Sequence, residues 1–123
     1  MGRGAFRKEV GLTVGRTPEK NEQFVREHWE NVGIKHYHID GICYWMVHQH
    51  GSGIPLHGYE SPELAWAAAA EFTEQRLEEI RKVEDSLDWM DWVISYGTCL
   101  PGGEVIVALL NEKLESLNKW MRP

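Results

Sequence analysis

The stretch His36-Tyr37-His38-Ile39-Asp40-Gly41-Ile42-Cys43-Tyr44-Trp45-Met46-Val47-His48-Gln49-His50 decides how this chain is read. Asp40-Gly41 is a dipeptide that closes a two-residue β-hairpin, because both central positions take positive φ and Gly does so without steric cost. That turn sets His36 opposite Trp45 and His38 opposite Cys43. Side chains alternate with period two, so His48 and His50 then share the other face with Tyr37, Ile39, Tyr44 and Met46. A three-residue loop with a bulge would instead bring His36, His38, His48 and His50 onto one face. A metal site made of these four histidines therefore turns on one residue of register, and the tight turn that Asp40-Gly41 favours divides them. A zinc site needs three or four protein ligands, and no Cys-x-x-Cys or His-Glu-x-x-His accompanies the histidines. We read them as strand histidines flanking an aromatic face and expect no cofactor.

Upstream, Thr17-Pro18-Glu19 supplies an N-cap hydroxyl, a proline at the first helical position and a carboxylate at the positive end of the dipole. A helix follows, with Phe24, Val25, His28, Trp29 and Val32 as its apolar stripe and Gly33 as its end. Residues 1–16 carry Arg3, Arg7, Lys8 and Arg16 among glycines and read as a flexible terminus, or as a short strand over Glu9 to Val14. Downstream, Ile54-Pro55-Leu56-His57-Gly58-Tyr59 reads as a third extended segment, held at an edge or bulge by Pro55.

Ser61-Pro62-Glu63 repeats the helix-start device. The stripe Trp66, Ala69, Thr73, Leu77, Ile80, Val83, Leu87, Met90, Ile94 then marks one face of a helix of about 35 residues, or roughly 52 Å. A break near Asp85-Ser86, or projection toward a partner, would reconcile that length with a domain about 30 Å across. Trp89, Trp92, Val93 and Tyr96 fall on the reverse face and require a cover, either the C-terminal helix or a second protomer. Gly97 to Gly103 is a loop by its Pro and Gly content. Val105 to Met121 forms the last helix, with Ile106, Leu109, Leu110, Leu114, Leu117 and Trp120 at helical spacing.

The 123 residues fit a single domain, and 42% hydrophobic with 26% charged residues is the composition of a globular protein. A net charge of −6 argues against non-specific nucleic-acid binding and against an anionic membrane. No apolar run reaches the roughly 20 residues of a membrane helix. Cys43 and Cys99 form no framework pattern, which points to a reduced, cytoplasmic setting.

Chemistry-bearing constellations are few. Gly102-Gly103 before a helix lacks the Lys-Ser or Lys-Thr of a phosphate loop. Cys43 opposite His38 suggests a nucleophile and base, but a mid-strand thiol beside Tyr44-Trp45 is expected to be buried and inert. Glu71, Glu74, Glu78 and Asp85 make an acidic stripe on the long helix, a solvated face or a surface for a basic partner. Tyr37, Tyr44, Trp45, Tyr59 and the cluster Trp89, Trp92, Tyr96 are residue types enriched at interfaces.

The segment Tyr59-Glu60-Ser61-Pro62-Glu63, with Ala65-Trp66 and the alanines after it, resembles small α/β-sandwich proteins of bacteriophages and mobile elements, in which a strand runs into such a helix start. The resemblance covers about 20 residues; it implies an origin and a fold, and transfers no catalytic residue. The helix, strands, helix order is also similar to double-stranded-RNA-binding domains. Those use a basic helix start, which is Ser61-Pro62-Glu63-Leu64 here, and the net charge has the wrong sign. The expectation is therefore an α+β domain with a small antiparallel three-stranded sheet packed by a long central helix, plus an N-terminal and a C-terminal helix. Functionally it is a non-enzymatic binding protein, a homodimer, that meets a protein partner through Tyr37, Tyr44, Trp45, Tyr59, Trp89, Trp92, Tyr96, Glu71, Glu74 and Glu78. Binding of a small ligand or metal by the hairpin histidines is the alternative.

Overall fold

The computed structural model describes residues 16–55, 57–97 and 102–122. Its elements are α1 (Pro18–His28), β1 (Val32–Ile39), β2 (Ile42–Gln49), β3 (Ser52–Gly53), α2 (Pro62–Ser95) and α3 (Gly103–Asn118), an α+β architecture with one antiparallel sheet in the order β1-β2-β3. The described residues group into two compact units, one within residues 1–74 and 120–123 and the other within residues 75–119. The expected strand over Glu9 to Val14, and Cys99, lie outside the described residues.

In the first unit the hairpin adopts the tight register. Asp40 and Gly41 take φ of 53° and 77°, and His36 pairs with Trp45, His38 with Cys43. A second turn of the same kind, His50-Gly51 at φ 50° and 84°, leads into β3. The third strand is not where the sequence placed it: β3 is Ser52–Gly53, just before the expected Ile54 to Tyr59 segment, whose described residues form no strand of their own. Ile54 donates to the Val47 carbonyl (2.7 Å), and among the described residues beyond it the next pairing with β2 is at Tyr59, which bridges Trp45. Pro55, with no N–H to donate, stands where the ladder is interrupted.

Thr17 caps α1 as expected, its hydroxyl accepting from the Lys20 amide. The helix stops at His28, five residues before Gly33, because Asn31 at φ 51° turns the chain and Val32-Gly33 are already paired in β1. Val25, Trp29, Val32, Val47, Ile54, Ala65, Trp66, Ala69 and Ala70 form the core of this unit. Ala65, Ala69 and Ala70 bury the first turns of α2 in this core. Trp29 Nε1 donates to Thr73 Oγ1 (2.8 Å), which donates on to the Ala69 carbonyl, so the buried indole N–H is satisfied. Residues 120–122 pair with residues 28–30, and the buried Gln49 amide donates to the carbonyls of both Glu30 and Trp120.

The second unit consists of the rest of α2 and α3. α2 runs unbroken through Asp85-Ser86: Ser86 Oγ donates to the Lys82 carbonyl one turn back instead of capping a new helix. Ile80, Val83, Met90 and Val93 are buried. Val93 thus belongs to the packed face, whereas Ile94, read as part of the stripe, is exposed. α3 lies antiparallel to this half of α2, with the Arg76 guanidinium on the Leu117 carbonyl (3.0 Å) at one end and Met90 beside Ile106 and Leu110 at the other. α3 starts at Gly103 and ends at Asn118, short of Met121, because Trp120 takes φ 69° and Met121 bridges Trp29.

Candidate functional site

The aromatic residues singled out above fall into three environments. Trp45 and Tyr59 are half-buried and pack on the core of the first unit. Trp45 stacks on His36 (centroids 4.4 Å, 14° between planes), and burial, then the nearby Glu71 charge, pushes the Tyr59 phenol above its ordinary range. Tyr37 and Tyr44 stack on each other at 5.2 Å on the opposite face of the hairpin. A Cβ at Gly58 would come within 2.9 Å of three Tyr44 ring carbons, so this glycine makes room for the ring. Trp45 and Tyr59 are therefore mainly structural, and Tyr37-Tyr44 is a half-exposed pair.

The hairpin histidines do not converge. His36 and His38 lie on the face that continues into the core, while His48 lies on the other, diagonal to Lys35. His50 sits in the second turn against the Trp120 ring (4.3 Å). Among the described residues no group of three or more His, Cys, Asp or Glu is placed to hold a metal. Cys43, expected to be a buried thiol, is exposed, because the tip of the hairpin extends past the helices that cover its base.

The acidic stripe is partly neutralised. Glu74 pairs with Arg16 (2.8 Å), while Arg81 holds Glu78 by two hydrogen bonds and Asp85 by one (2.6 Å). The Arg81 hydrogen bonds lower the Glu78 carboxyl below its ordinary range, and the same contacts raise Arg81. A face so paired offers few bare carboxylates to a basic partner.

The remaining set is the one that stands out. In the second unit Trp89, Trp92 and Tyr96 are 60%, 57% and 72% exposed, and α3 exposes Val105 (62%), Ile106 (42%) and Leu109 (59%). Trp89, Trp92 and Tyr96, spaced three and four apart, share one flank of α2, and Val105, Ile106 and Leu109 share one flank of α3. Trp89 of the first flank and Ile106 of the second line one groove of about 490 Å³ with Asp85, Ser86, Met90 and Leu110, so the two flanks approach each other there. The α2 half of this surface was legible as aromatic excess on a reverse face. The α3 half was missed, because Ile106 and Leu109 look like core positions until the angle of α3 against α2 is known. No family model, curated protein or solved structure matches the chain.

Proposed function

We propose that this chain is a small, acidic, non-enzymatic binding protein that engages a protein partner through the surface formed by Trp89, Trp92, Tyr96, Val105, Ile106 and Leu109. The observation that carries this reading is the apolar exposure at that groove. Contiguous apolar patches of several hundred Å² are rarely left bare on a soluble protein and mark interaction sites. Trp and Tyr supply large contact area at little conformational cost, which is why they recur as binding hot spots. The α2 start resembles phage and mobile-element proteins, a setting in which the assembled protein modulates or inhibits a host factor.

The test is native mass spectrometry of tagged protein recovered from its own host. The wild type is expected to carry a protein chain at defined stoichiometry, lost in Trp89→Glu/Trp92→Glu. Recovery with only a small molecule or metal, unchanged by that double substitution, would refute the proposal.

A further inference from the structure

Resting on that reading, we infer that the occupant of the groove is a second copy of this chain, so that two α2–α3 pairs close into a four-helix bundle. Two antiparallel helices bury one stripe each and leave their outer flanks bare; a second pair is the usual cover, and four helices around one core are the stable solution. Trp89 and Ile106 meet at the groove and the other four exposed residues continue its two flanks, so the patch can meet itself across a two-fold axis, where each contact is made twice. Scaled to side-chain areas of roughly 150–250 Å² for the aromatics and somewhat less for the aliphatics, they offer on the order of 700 Å². A standard interface takes about 800 Å² from each partner, so this surface is of the size a dimer needs.

Charge narrows the choice of occupant. Glu78 and Asp85 are held by Arg81, whereas Asp88 and Asp91, beside Trp89 and Trp92, are exposed carboxylates that two copies would bring together. The net charge of −6 disfavours an anionic membrane. Two copies repel one another at long range, which gives the dimer a signature: salt screens the repulsion and tightens it. A complex with a basic partner would weaken with salt instead.

Sedimentation of the purified full chain from about 1 to 100 µM, the range where interfaces of this size separate into weak and strong, reads the outcome directly. The expected species has twice the 14.2 kDa chain mass, and its dissociation constant falls as NaCl is raised from about 50 to 300 mM. Trp92→Glu and Leu109→Glu, both at exposed positions, should weaken the dimer more than about 30-fold with an unchanged circular-dichroism spectrum. Ile42→Glu at the hairpin tip and Leu64→Glu in the first turn of α2, also exposed, should leave it intact. A monomer throughout the range overturns the inference, as does a dimer broken by Ile42→Glu and spared by Leu109→Glu. A monomer that still recovers a foreign chain from its host, dependent on Trp89 and Trp92, would overturn self-pairing while leaving the binding function standing.

Discussion

His48 is the residue whose behaviour owes most to where the register puts it. Its Nδ1 is sealed from solvent and finds no hydrogen-bond partner among the described residues. Burial first, and the Lys35 ammonium second, hold its pKa below the ordinary 6.5. The unfolded chain therefore takes up this proton at a higher pH than the folded one. The contribution to stability is full above pH 6.5 and is lost as pH falls through 6.5 toward the lower folded value. Urea unfolding at about pH 7.5 and about pH 5 should give a lower midpoint at the acid end for the wild type, with a smaller difference in His48→Asn. Equal pH dependence in the two proteins would show that His48 is not the group responsible. From the sequence, His48 could be placed opposite the face of His36 and His38, but its sealed nitrogen could not be foreseen. Burial is set by what packs on a strand, and strand parity carries no information about that.

At the scale of elements, two glycines do different work and can be separated. Gly41 takes φ 77° with open space around it, so Gly41→Ala should cost about 1–2 kcal/mol in backbone strain alone. Gly58 sits under the Tyr44 ring, so Gly58→Ala should cost about 1–3 kcal/mol by collision. In a Tyr44→Ser background the Gly58→Ala cost should shrink while the Gly41→Ala cost persists; equal costs in both backgrounds would contradict this division. The hairpin was legible because Asp-Gly imposes its own geometry on any flanking strands. The short β3 was not, since its pairing depends on whether later residues return to β2, and beyond Pro55 the next described residue to rejoin it is Tyr59. The continuity of α2 was likewise hidden. Ser86 can cap a helix or bond back within one, and the Arg81 ladder and the buried Val83 and Met90 on either side favour continuation.

At the scale of the whole molecule, the chain closes on itself through Gln49. Its buried amide donates to Glu30 (2.6 Å) and to Trp120, 71 residues away in sequence (2.7 Å). Gln49→Leu removes both bonds inside the core and should lower stability by about 2 kcal/mol. Thermal unfolding checks this, and an unchanged Tm would mean that the C-terminal residues are held by other contacts. By itself the sequence determined the α+β class, the hairpin and the turn it favours, both proline-started helices and the aromatic excess on α2. All of these follow from local rules: turn chemistry, capping and the two periodicities of strand and helix. Only the tertiary structure decided that Trp45 and Tyr59 are packed while Trp89, Trp92 and Tyr96 are bare, that Val105, Ile106 and Leu109 join them, and that Arg16 and Arg81 pair Glu74, Glu78 and Asp85 of the acidic stripe. Exposure and ion pairing depend on which elements meet and at what angle, a long-range outcome that residue order along one element does not contain.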